Sequence, residues 1–321
     1  MSFEPQSMFW PGTRAVLLVH GIGDASTGNE NAFPSEVVRQ ILRDDAESVA
    51  IYRVNYDFIN DWLATKVQFG VGISALKAAL KLKLGDEDSD ATLAEYAGDI
   101  LWPVLSAEIR FAVRDALLAQ LDQIQVDRGE SALHRGDDPL DYQISIFAHS
   151  LGCFHTYEVL TAAAQEPSHA LRPASDLFTL NSVVLMASPV QLIRTVAEAI
   201  SAFIPDRENL ATIAKPLSIP SETRKGKKPV PCTTDFIAMT GSHDPVGGHL
   251  LGQKLDWAYM DIPGQRTVIV PQQALNLDTK AGTAKALAKA FATGGPQAND
   301  PHSWSAYIQA EAKLLRDAIL T

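Results

Sequence analysis

The chain has 321 residues, 46% of them apolar and 20% charged, which supports a substantial buried core and rules out a disordered tail, a fibre or a low-complexity scaffold. Lys and Arg number 27 against 38 Asp and Glu, for a net charge of −11 and a pI near 5.2. A face that neutralises nucleic-acid phosphates needs the opposite balance, so nucleic acid is not expected as a partner. The two cysteines, Cys153 and Cys232, form one bridge at most, which sets aside a disulfide scaffold and suits a reducing, cytoplasmic setting.

Residues 1–14 carry Glu4, Pro5 and Pro11 before the first basic residue, so no targeting peptide is expected. No run of about 18 uninterrupted apolar residues occurs, so no spanning helix is expected either. Six short apolar runs, at 15–19, 49–54, 144–148, 183–187, 236–240 and 267–270, are bounded by Gly, Pro, Asn or Asp and read as buried strands. Helical stretches lie between and after them, near 34–47, 103–125, 151–165, 192–203 and 303–319. Continuous apolar runs suit parallel strands covered on both faces. The alternation therefore predicts an α/β fold with a doubly wound, mostly parallel sheet of about six strands.

Two segments exceed what a crossover needs. Residues 57–98 contain an apolar stretch, 67–84, broken by Lys77, Lys81 and Lys83. It reads as an ordinary packed helix or as an interfacial lid helix that meets acyl chains. Residues 205–231 hold five prolines and the basic cluster Arg224, Lys225, Lys227 and Lys228, which suits a solvated loop. Both are expected as cap-like insertions on one domain spanning 1–321. A further amphipathic helix is expected at 283–291.

Chemistry is concentrated where strands give way to turns. Residues Ala148-His149-Ser150-Leu151-Gly152 join a predicted strand directly to a predicted helix. This is a variant of G-x-S-x-G, whose small residues two before and two after the serine relieve a crowded, strained turn. A serine that merely caps a helix has the same local geometry. After the first strand comes His20-Gly21-Ile22-Gly23. Acyl transfer passes through a tetrahedral oxyanion, and the backbone N–H groups of Ile22 and Leu151 are candidates to hold it. No Lys-Ser/Thr follows these glycines and no G-x-G-x-x-G occurs, which disfavours a nucleotide loop.

With these motifs, with Gly241-Ser-His-Asp-Pro-Val and with Asp300-Pro-His-Ser-Trp, the chain resembles the α/β-hydrolase superfamily, in particular its lipase and esterase branches. The resemblance implies a triad in the order serine, acid, histidine. Ser150 would be the nucleophile, Asp244 the acid in the turn after a late strand, and His302 the base ahead of the last helix. Asp244 also suits an Asx turn before Pro245. Asp235, Asp256 and Asp278 are weaker rivals because none ends a strand. His20 and His149 read as supporting residues beneath the site with Gly21 and Gly152, and Cys153 as a small buried hydrophobe. No metal motif and no cofactor motif is present. The expected function is cleavage of carboxylic esters, small or lipid-like, through an acyl-enzyme. An acyltransferase or thioesterase with the same triad, or a non-catalytic binding module on the same fold, are the alternatives.

Overall fold

The computed structural model describes residues 3–21, 35–54, 56, 107–165, 180–190, 193, 221–222, 230–231, 233–241, 265–270 and 304–321. Six strands form one sheet: β1 (Arg14–Val19), β2 (Val49–Val54), β3 (Gln143–His149), β4 (Leu180–Met186), β5 (Thr233–Gly241) and β6 (Gln265–Val270). Their order is β2-β1-β3-β4-β5-β6 and every neighbouring pair is parallel. Each of the six apolar runs is a strand, as expected. The helices are α1 (Ser35–Leu42), α2 (Ala107–Arg135), α3 (Leu151–Gln165), α4 (Trp304–Ala310) and α5 (Ala312–Leu320).

A strand buried on both faces sends alternate side chains into two cores. In β1, Ala15, Leu17 and Val19 face one core with Leu117 and Leu121 of α2 and Phe154 and Tyr157 of α3. Val16 and Leu18 face the other, with Val38 and Leu42 of α1, Tyr307 of α4 and Leu315 of α5. Helices therefore cover both sides, and the sheet is doubly wound. The expected elements at 67–84 and 283–291, and at 192–203 apart from Ile193, lie outside the described residues. So do the two insertions, except for a small antiparallel ribbon pairing Ser221–Glu222 with Val230–Pro231.

Three helices differ from expectation. α1 stops at Leu42 rather than near 47, because Arg43 takes a left-handed backbone (φ 55°) and a tighter 3-10 turn, Arg43–Ser48, leads into β2. α2 runs on to Arg135 rather than stopping near 125 because its last turns bind the N-terminal segment. Ser7 Oγ and the Met8 N–H donate to Asp127 at 2.7 and 2.8 Å, and the Trp10 N–H donates to Ser131 Oγ at 2.9 Å. Tyr52 of β2 donates to the same Asp127 carboxylate at 2.7 Å. The expected helix at 303–319 is broken in two at Glu311 (φ −120°, ψ 33°). No glycine or proline causes the break. Instead the two halves are tied to opposite ends of the sheet: α4 to the turn after β3, and α5 at its last turn. There the Ala318 carbonyl accepts from Ser145 Oγ (2.9 Å), Asn181 Nδ2 (3.0 Å) and Ser182 Oγ (2.6 Å).

Candidate active site

The chain order of the strands reverses between β1 and β3. From β1 the chain moves outward to β2 on one side, and everything after β3 lies on the other. In open α/β sheets such a switch point leaves a crevice beyond the carboxyl ends of the strands, where ligands bind. Val19 and Ala148 are paired at those ends, so His20-Gly21 and His149-Ser150 leave the sheet side by side.

Ser150 links β3 to α3 with φ 51°, a left-handed conformation that an L-residue with a side chain rarely adopts. The turn is held by the Ser150 N–H donating to the Met186 carbonyl at 2.9 Å and by the Cys153 N–H donating to the Ser150 carbonyl at 3.0 Å. Strain of this kind costs about 1–3 kcal/mol and persists only where the surroundings enforce it. The neighbouring glycines show the enforcement. A Cβ on Gly21 would lie 2.7 Å from Ser150 Cβ and 3.1 Å from its Oγ. A Cβ on Gly152 would collide with the carbonyl oxygens of Val19 and His20. The small residue two after the serine is therefore required by the backbone of β1, against which the first turn of α3 packs. Ala148, the other small position, is wholly buried within β3, and Leu151, the first residue of α3, is buried too.

Beneath the β1 turn lies a column of rings. The His20 Nδ1–H donates to the Gly21 carbonyl at 2.5 Å. The His20 ring stacks on Tyr56 at 4.2 Å, and Tyr56 Oη donates to the His20 carbonyl at 2.5 Å. His155 of α3 meets Tyr56 edge-on at 4.9 Å. Burial pushes His20 down to about 4, against an opposing effect of its bond to Gly21. Burial, then the neighbouring His20, pushes His155 down to about 3. Both rings are therefore neutral at pH 7.

On the other side of the elbow, His149 stacks on Trp304 of α4 at 5.0 Å and meets Tyr307 at 6.1 Å. Tyr307 Oη accepts from the Gly241 N–H, the last residue of β5, at 2.7 Å. The end of β5 and the start of α4 are thus both anchored beside the residue that precedes Ser150. Ala187, just past β4, is a second left-handed residue at this end of the sheet (φ 56°) and donates its N–H to the Met239 carbonyl at 3.0 Å.

Of the residues singled out in the sequence, Ser150, Leu151, Gly152, His149, His20 and Gly21 come together at this crevice. Ile22, Asp244 and His302 lie outside the described residues. Asp235 pairs with Ser182 in the lower part of β5, four residues (about 13 Å) from the Met186 and Met239 row beside His149. That position takes it out of reach of Ser150. Cys153 is buried, with its thiol 3.2 Å from the Met186 carbonyl. Tyr56 and His155 escaped the sequence reading because neither sits in a motif. Only the fold carries them under the turn. Among the described residues no cluster of three or more His, Cys, Asp or Glu side chains could hold a metal. Among them, too, no helix is long and apolar enough to cross a membrane.

No protein-family model matches the sequence, and no curated protein matches it either. Among solved structures the chain is similar to a putative hydrolase from Agrobacterium vitis (14% identity, TM-score 0.36, 88% of each chain covered). It is also similar to mouse alpha/beta hydrolase domain-containing protein 10 (12% identity, TM-score 0.35, 88% of this chain and 90% of that one). A third similar structure is a dienelactone hydrolase from Anabaena variabilis (12% identity, TM-score 0.30, 88% and 87%). These likenesses are distant, and the assignment of the fold rests on strand order and on the turn at Ser150. Six parallel strands in this order, with a strained serine elbow at the end of the third and a glycine turn against it, make this an α/β-hydrolase fold.

Proposed function

We propose that this protein is a serine hydrolase that cleaves carboxylic esters through an acyl-enzyme. The observation that carries the reading is Ser150 at φ 51° in the switch-point crevice, pressed against Gly21. A serine that only caps a helix has no need of a left-handed backbone, since cap residues take extended dihedrals. Ser150 Oγ would attack the ester carbonyl while His302 takes its proton. The tetrahedral oxyanion would be held by the N–H groups of Ile22 and Leu151, each worth about 3–4 kcal/mol to the transition state. The alcohol then leaves with the proton returned by His302, and water repeats the sequence to release the acid. Asp244 would fix the tautomer of His302 and stabilise its charged form.

Chain reach is compatible with the two partners. Asp244 is three positions beyond Gly241, and His302 is two positions ahead of Trp304. Both anchors lie in the group of contacts around His149. Two or three residues of chain span about 7–10 Å, a reach that would allow either side chain to approach the elbow. The apolar stretch 67–84 in the first insertion favours an acyl or lipid-like substrate over a sugar ester.

The test is labelling with a fluorophosphonate, followed by turnover of p-nitrophenyl esters from acetate to octanoate. The wild type is expected to label and to prefer octanoate, whereas Ser150→Ala is expected to do neither. Labelling that survives in Ser150→Ala would overturn the nucleophile. A folded wild type that never labels would instead favour a non-catalytic binding module.

A further inference from the structure

The ring column under the β1 turn bears on an atom the chemistry would need. A trans peptide is planar, and its N–H points opposite to its C=O. Whatever fixes the Gly21 carbonyl would therefore bear on the amide bonded to it, the donor proposed at position 22. The Gly21 carbonyl accepts from His20 Nδ1–H at 2.5 Å, so the imidazole holds that peptide from below. The imidazole is held in turn by Tyr56, whose ring stacks on it at 4.2 Å with 12° between the planes. The Tyr56 hydroxyl donates to the His20 carbonyl at 2.5 Å and lies 3.4 Å from the Gly21 carbonyl.

Tyr56 also meets His155, which is one turn on from Leu151 in α3. The column thus bridges the two elements that carry the candidate donors, the β1 turn and the start of α3. Tyr56 itself comes from neither of them: it follows β2 and reaches across beneath β1.

We propose that Tyr56 is a positioning residue for the oxyanion turn. Its hydroxyl on the His20 carbonyl and its ring on the His20 imidazole set the orientation of the Gly21–Ile22 peptide, and with it the second oxyanion donor. The inference rests on the ester-hydrolase reading. Tyr56 touches no reacting atom, so its effect should fall on the transition state rather than on ground-state binding.

Tyr56→Phe keeps the stacked ring and removes only the hydroxyl. Its kcat for p-nitrophenyl butyrate, counted per site titrated by fluorophosphonate, is expected to fall about 10-fold with KM within about two-fold. Loss of the donor outright would give about 100- to 1000-fold. A boronic acid, which binds as a tetrahedral adduct, should weaken by the same factor, whereas the planar butyrate product should bind as to wild type. Titrating sites removes any unfolded fraction from the comparison. An unchanged kcat, or equal losses for boronate and butyrate, would overturn the positioning role while leaving the hydrolase intact. A wild type with no Ser150-dependent turnover would overturn the hydrolase reading, and this one with it.

Discussion

The two ends of the sheet put their hydrogen bonds and their crowding to different uses. At the carboxyl end, Ser150 and Ala187 hold left-handed backbones, and Gly21 and Gly152 sit where a methyl group has no room. At the other end Arg43 alone among the described non-glycine residues is left-handed (φ 55°), Gly12 packs on the Ser48 carbonyl, and one carbonyl, that of Ala318, collects three side-chain donors from β3 and β4. The lower end secures the fold by satisfying buried polar groups. The upper end draws on that stability to hold conformations that the local chain would not choose. The broken C-terminal helix serves both, with α4 set against His149 and α5 capped below.

The contrast can be broken at either end, and the largest effect is expected at the elbow. Gly152→Ala drives a methyl group into two backbone carbonyls that cannot rotate aside. It should lower the unfolding free energy by about 3 kcal/mol and displace the start of α3. Urea unfolding should show the first, and loss of fluorophosphonate labelling in the fraction still folded should show the second. Labelling at the wild-type rate would mean that the crowding has no part in shaping the elbow.

A middle-sized effect comes from the rings below. Their folded-state pKa values, about 4 for His20 and about 3 for His155, lie under the ordinary value of 6.5. Between those limits the unfolded chain binds more protons than the folded one. The stability held by each neutral ring is therefore complete above pH 6.5 and drains away as pH falls. At pH 5 each ring should have lost about 2 kcal/mol relative to pH 7.5. Among the described residues His155 has no hydrogen-bond partner at either ring nitrogen. His155→Phe should thus keep the edge contact with Tyr56 and remove about 2 kcal/mol of the acid sensitivity. Parallel stability curves for wild type and variant from pH 7.5 to 5 would contradict this.

The smallest effect belongs to the lower end. Ser182→Ala removes one of three donors to the Ala318 carbonyl and should cost about 1 kcal/mol in urea. Ester turnover should not change, because the site lies at the far end of β4. A drop in turnover larger than the drop in stability would show that the two ends are not separate.

Much of this was legible in the chain. Parallel strands buried on both faces leave uninterrupted apolar runs, and all six were readable for that reason. The elbow was readable because its geometry admits only small residues at two fixed offsets, which leaves a mark in five consecutive positions. The length of α2 was not, since Asp127, Ser131 and Arg135 keep it helical through contacts with residues 7–10, more than a hundred positions away. Nor was the break at Glu311, which no local residue signals.

The sequence by itself determined the layering, the strand–turn–helix at Ser150 and the glycines around it, because burial period and steric room act over a few residues at a time. Tertiary structure alone decided that His20, Tyr56 and His155 form one column, and that Trp304 and Tyr307 meet the elbow. Those contacts join segments whose local patterns are independent of one another, and only the order of strands in the sheet brings them together.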